Sequence, residues 1–291
     1  MKFTDYKDKV NSELLELMEV EGMNWSKSWT DIVRNYGLPH NAIRGNNYTG
    51  MNSFYLSWFC RRPRPMYATY KQWKSIGADM SDTKGKGVPV YFFSPMTKKV
   101  TDNFGVESET KYGIYKVYHV FNVDDVKNVD ESKLAANKDT VIDSVIEADE
   151  ISESIVAATK ADVNHCVTDT PCYIPSKDAI RMPPRDSFYT MEAYYSTLFH
   201  ELTHWTGHKS RLNRFSTEFS LEQRAKEELI AEIGSSYLCA ASGVEVQPRA
   251  DHAKYLNSWK SQIKDNPNLM VNSFSKASKA ADLILAFSKS D

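Results

Sequence analysis

The chain has 291 residues, 41% hydrophobic and 25% charged, with 12 Gly and 11 Pro, which excludes a disordered, collagenous or disulfide-stapled protein and leaves room for two modest domains. Its formal net charge of −2 hides a partition, since residues 1–21 sum to −3, 22–123 to +8, 124–162 to −7 and 163–291 to zero. No apolar run is long enough for a signal peptide or a membrane span, and four scattered cysteines make no C-x-x-C pair; the expectation is a cytoplasmic protein with reduced thiols and no membrane partner.

Val10, Leu14, Leu15, Leu17 and Met18 recur at roughly helical spacing and predict an amphipathic helix over 4–21. From residue 25 to 118, short aromatic and β-branched runs broken by Gly, Asn and Pro predict strands, above all 88–93 and 112–118. Residues 55–59 and 70–73 read as short helices, giving a small mixed α/β domain over 1–125. The stretch 126–150, rich in Asp, Glu, Asn and Ser, lacks a sustained apolar face and reads as a solvated acidic linker. A second domain, 151–291, is mainly helical apart from two edge strands and a turn over 172–184, so the class is α+β. Thr190 can cap a helix running to about Thr206, where Gly207 is expected to supply a left-handed stop. Ser220, with Gln223 three residues on, predicts the capping box of another helix ending near Ala241, before Gly243.

The string His200-Glu201-Leu202-Thr203-His204 lies inside the first of these helices. Side chains four apart share a helical face, so both imidazoles can reach one Zn²⁺, while Glu201, one step round, faces the attacking water as general base. Met191, Tyr195, Leu198, Leu202 and Trp205 supply an apolar stripe on the other side. A catalytic zinc needs a third protein ligand and an open position. Glu228 on the next helix is expected to be that ligand, with Glu232 one turn on orienting an imidazole, or the two in exchanged roles. A histidine ligand as in H-E-x-x-H-x-x-G-x-x-H would fall on Ser210, so a glutamate site is favoured. Such a centre suits peptide-bond hydrolysis, with zinc or another divalent transition metal.

The +8 block pairs cations with rings and glycines. Arg44, Asn47, Tyr48 and Asn52 sit in a Gly/Asn-rich stretch, Arg61, Arg62 and Arg64 follow an aromatic helix, and Lys84 and Lys86 alternate with glycine. Positive charge attracts phosphate and exposed rings stack on unpaired bases, so this composition favours single-stranded nucleic acid.

Taken together, residues 41–52, 67–73 with Lys71 and Trp73, the 84–87 loop, 173–180, 194–204 and 227–234 make the chain resemble the ArdC-type antirestriction proteins of conjugative plasmids and phages. The resemblance implies a single-stranded-DNA-binding domain, with Lys71 and Trp73 expected among its DNA contacts, followed by a zincin-like metallopeptidase domain that acts on an unknown protein substrate. It also implies His200, His204 and Glu228 as metal ligands, Glu201 as catalytic base, and protection of incoming DNA from host restriction. Two rivals stand beside it: a DNA-masking protein with a structural or vestigial metal, and a protease whose basic domain recruits a protein target.

Overall fold

The computed structural model describes residues 2–101, 107–135, 145–168, 170–215, 220–246 and 253–288. Helix α1 (Phe3–Glu21) buries Val10, Leu14, Leu17 and Met18, as its spacing predicts. The strands expected from residue 25 are corrected at once, because 25–36 forms a helix, α2 (Trp25–Tyr36). Trp25, Trp29 and Val33 recur every fourth residue and all are buried; bulky rings at that interval make one helical stripe, whatever their intrinsic strand preference.

A short strand β1 (His40–Asn41), helix α3 (Gly50–Trp58), strand β2 (Met66–Thr69) and helix α4 (Tyr70–Ser75) follow. Thr69 and Gln72 cap α4 reciprocally. A long hairpin, β3 (Val88–Thr101) and β4 (Glu107–Asn122), completes a four-stranded sheet of order β1-β2-β4-β3, in which only β1 and β2 run parallel.

The acidic stretch is not a solvated connection over its described part. Val126 is buried, and Val129 and Leu134 pack on the cluster around Trp73 and Ala78. Lys127 and Asp79 exchange backbone hydrogen bonds of 2.8 and 3.0 Å. Three apolar side chains suffice to dock a strongly charged segment once they meet a preformed apolar face. Residues 136–144 of the expected linker lie outside the described residues.

Helix α5 (Val145–Thr159) leads into strands β5 (Asp162–His165), β6 (Cys172–Ile174) and β7 (Ala179–Met182), ordered β5-β7-β6 with the expected β6–β7 hairpin. Four helices close the chain, α6 (Met191–Trp205), α7 (Leu221–Ser242), α8 (Ala253–Asp265) and α9 (Leu269–Ser288). Thr190 and Ser220 cap α6 and α7 through the backbone N–H of Ala193 and Gln223, and Gly243 ends α7 left-handed at φ 77°. Gly207 is not the left-handed stop expected of it, since its φ is not positive. It is demanded by space, because a β-carbon there would lie 2.8 Å from the Phe215 ring and 2.9 Å from His204 O.

One apolar core runs through both halves of the sequence. Trp29 meets Tyr237 edge-on with centroids 4.8 Å apart, and Phe54 meets Phe274 at 4.8 Å. The Tyr237 hydroxyl donates to Gly50 O at 2.8 Å. Helices α2 and α3 are therefore packed against α7 and α9. Among the described residues no helix is long and apolar enough to cross a membrane.

Candidate metal centre

Helix α6 anchors itself by Tyr195, Leu198, Leu202 and Trp205, all buried, and turns His200 and His204 toward α7. The two helices approach closely because small residues line the crossing. Gly234 lies against Thr203, and Ser235 Oγ donates to Ser196 O at 3.1 Å. That approach brings Glu228 to the imidazole pair.

His200 Nε2 and His204 Nε2 are 3.1 Å apart, His200 Nε2 lies 3.4 Å from Glu228 Oε2, and His204 Nε2 lies 3.7 Å from the same oxygen. A tetrahedral zinc with bonds of about 2.0–2.1 Å has ligand-to-ligand edges of about 3.3–3.4 Å. The three donor atoms thus form one face of such a tetrahedron and could hold a metal ion. Charge agrees with geometry. Burial works against a charged His204, yet hydrogen bonding to Glu227 and Glu228 outweighs it and raises its pKa to about 10. Burial alone would raise Glu228, but the two imidazoles hold its carboxyl well below the usual range.

The supports behind the donors are specific. Glu232 Oε2 is 3.9 Å from His200 Nδ1, and Glu232 Oε1 accepts a 2.8 Å hydrogen bond from Ser26 Oγ on α2. Of the two arrangements left open by the sequence, the geometry brings Glu228 among the donors and puts Glu232 behind His200. His204 Nδ1 faces Glu227 Oε1 at 3.3 Å, and Arg214 Nη2 donates to that same oxygen at 2.7 Å. Burial opposes a charged Glu227, while His204 and Arg214 keep its carboxyl below the normal value. Glu227, Arg214 and Ser26 belong to no motif; Glu227 stands beside Glu228 in the acidic string, but only the tertiary contact tells which carboxylate meets which ring. Glu201 is buried next to the donors, and its Oε2 accepts from the backbone N–H of Tyr173 on β6 at 2.8 Å.

Residues 4–123 match the N-terminal domain of the anti-restriction factor ArdC, and residues 150–276 match a zincin-like metallopeptidase. The crystal structure of the antirestriction ArdC protein from plasmid R388 is similar in its metal-free and Mn(II)-bound forms, at 33% and 31% identity, each with a TM-score of 0.75 over 98% of both chains. The chain belongs to the ArdC family of antirestriction proteins. Two Escherichia coli proteins described as DNA primase TraC are 32% and 30% identical over 97% of this chain, which spans only 20% and 27% of their length. A Sinorhizobium fredii protein, y4eC, is 26% identical over 96% of this chain and 91% of its own. The zincin-like domain and the Mn(II)-bound ArdC relative suggest a divalent metal for the site.

The ArdC-type N-terminal part treats the expected DNA-contacting side chains unequally. Trp73 is fully buried with its indole N–H on Phe121 O at 3.0 Å, so it is a core residue with no face to offer a base. Tyr48 is buried and donates to Tyr67 O at 3.3 Å, while Asn52 is buried and pins β3 through both backbone groups of Tyr91 at 2.7 and 3.0 Å. Arg61 lies over the Trp58 ring at 4.2 Å. Arg62 pairs with Asp125 at 3.0 Å, Arg64 with Glu131 at 2.9 Å, and Lys86 reaches Asp125 at 3.6 Å. Arg44, Lys71 and Lys84 are exposed and form no ion pair among the described residues. The half-buried Asn47 lines, with Arg44, a cleft of about 750 Å³. The exposed rings Phe92 and Tyr118 on that cleft carry no sequence signal, because alternation along a hairpin does not reveal which face the core takes, and Tyr70, exposed at the start of α4, lies beside the lysine-glycine loop.

Proposed function

We propose that this ArdC-family chain binds single-stranded DNA through its N-terminal part and hydrolyses a peptide bond of a protein substrate at a zinc centre, protecting incoming DNA from restriction. The observation that carries the enzymatic half is the donor triangle of His200, His204 and Glu228, with edges of 3.1, 3.4 and 3.7 Å, matched to tetrahedral zinc. When bound, the ion supplies a water of lowered pKa and polarises the scissile carbonyl.

Glu201 takes a proton from the attacking water and returns it to the leaving amine nitrogen. Tyr173 N–H holds one oxygen of that carboxylate at 2.8 Å and so fixes its orientation. Glu227 stands behind His204 at 3.3 Å and fixes that ring's tautomer, as a carboxylate does behind a metal-bound histidine, while Glu232 adds negative charge 3.9 Å from His200 Nδ1 without hydrogen-bonding to it. Arg44, Lys71 and Lys84 supply the sequence-independent pull on phosphates.

The test uses the full chain. Glu201→Gln should retain about one metal ion per chain and lose about a thousandfold or more in peptide hydrolysis, while His204→Ala should lose the metal. Undiminished hydrolysis by Glu201→Gln refutes the assigned base. DNA anisotropy should favour oligo-dT over duplex and weaken with salt; equal affinity for both refutes the single-strand reading. A second reading, protection by DNA masking alone, predicts that Glu201→Gln protects a plasmid from restriction as well as the parent does.

A further inference from the structure

The 750 Å³ cleft has walls from both halves of the chain. One side comes from the loop 41–52, the start of α4 and the hairpin; the other comes from α9. Ser275, Ser278, Lys279 and Asp282 occupy positions i, i+3, i+4 and i+7 of that helix, one stripe facing the cavity. Its size lies within the range of small-ligand sites, roughly 300–1,000 Å³.

Three features give the cleft a chemistry. Phe92 and Tyr118 are exposed at 48% and 43%, with ring centroids 5.5 Å apart at 75°, so two apolar ring surfaces meet the opening. Arg44 and Lys279 are exposed cations on the lining that form no ion pair among the described residues. The exposed Asn46 brings an amide that can both donate to and accept from base edges, while the amides of Asn41 and Gln72 on the same lining hydrogen-bond each other. Rings, unpaired cations and amides in one concave site are the requirements of an unpaired nucleotide. An apolar peptide would leave the cations unmatched, and a duplex offers no unpaired base face for the rings.

Resting on the single-strand reading above, we infer that this cleft seats nucleotides of the bound strand, and that α9 of the metallopeptidase half forms one wall of the DNA site. Bases stack on Phe92 and Tyr118, and Arg44 and Lys279 hold the phosphates from opposite halves of the chain. The DNA path thus crosses the boundary between the two matched families, and the single-strand site does not belong to the N-terminal part alone.

The experiment measures anisotropy of a labelled oligo-dT with the full chain, across a salt series, for the parent and for Lys279→Glu, Tyr118→Ala and Phe92→Ala, with Lys84→Ala as the cation outside the cleft. Metal content of about one ion per chain certifies that each variant is folded. Lys279→Glu should weaken binding at least tenfold, each ring variant at least fivefold, and the slope of log affinity on log salt should fall by about one for Lys279→Glu. If the cleft variants bind like the parent, whatever Lys84→Ala does, the strand runs elsewhere and this inference fails with the single-strand reading intact. If the parent itself binds no oligo-dT, both fail together.

Discussion

Gly234 on α7 faces Thr203 on α6 so closely that a β-carbon on the glycine would stand 2.5 Å from Thr203 Cγ2. Glu228 sits on the same helix as that glycine and His204 next to that threonine, so the approach sets the width of the donor triangle. Gly234→Ala should push the helices apart, destabilise the fold by about 1–3 kcal/mol and lower metal affinity. Adding Thr203→Ala removes both atoms nearest to the new methyl group and should restore most of the loss. Calorimetric titration of Mn(II) or Zn(II) into the single and double variants checks it, and purely additive losses would contradict it.

Glu227 is the support that the motif alone does not reveal. Its Oε1 is shared between His204 Nδ1 and Arg214. Glu227→Gln should cost roughly ten- to a hundredfold in metal affinity, the range for groups that orient a metal-bound histidine. Arg224→Ala, which removes an exposed partner 3.8 Å from Glu228, should change affinity less than threefold, because an exposed ion pair is worth about 0–1 kcal/mol. The comparison needs only metal titrations at one pH.

A clamp beside the centre gives a pH signature. Arg211 bonds both carboxylate oxygens of Asp178, and the Tyr173 hydroxyl donates to Asp178 Oδ1 at 2.7 Å. Arg211 holds the Asp178 carboxyl below its usual 3.8. A lowered carboxylate pKa stabilises the fold above the unfolded value and stops doing so as pH falls through the native one. Asp178→Asn should therefore melt below the parent at neutral pH, and the gap should persist down to about pH 4 and close only below it, as pH falls through the lowered native value. Thermal melts of the metal-bound proteins at a series of pH values measure it.

The shared core predicts how the chain responds to being divided. A fragment ending near residue 140 would expose Trp29 and Phe54, which now meet Tyr237 on α7 and Phe274 on α9. Such a fragment should bind a hydrophobic dye and melt without a cooperative transition, and co-expression with 141–291 should restore one cooperative melt. Two independent sharp transitions from the separate halves would contradict the packing described.

The paired and unpaired cations should separate cleanly in binding. Lys84→Ala should reduce the salt slope for DNA by about one. Arg62→Ala should leave that slope nearly unchanged, because Asp125 already takes its charge. Titrations at three salt concentrations distinguish the two.

The metal centre was legible because its information is local: His200 and His204 are four apart on one helix, and helical geometry does the rest. Glu228 could be placed on a facing helix, but its choice over Glu232 rested on how α7 rotates against α6, which is tertiary. The DNA-side residues were harder to read. Trp73 and Tyr48 look like stacking platforms in a basic segment, and only burial shows them to be core. The helix at 25–36 was masked by aromatic content, and the acidic stretch by its charge, since Val126, Val129 and Leu134 are too few to form a visible pattern.

The carboxylates of Asp124, Asp125 and Glu131 lie on Arg62, Arg64 and Lys86, so the positive block and the negative block of the chain largely cancel where they meet. A distant polyanion therefore feels a much weaker field than a count along the N-terminal block suggests. On the single-strand reading proposed above, discrimination among heparin-like polymers, duplexes and single strands would fall to the cations that form no ion pair among the described residues, Arg44, Lys71, Lys84 and Lys279, and to the rings beside them, which act only at contact range.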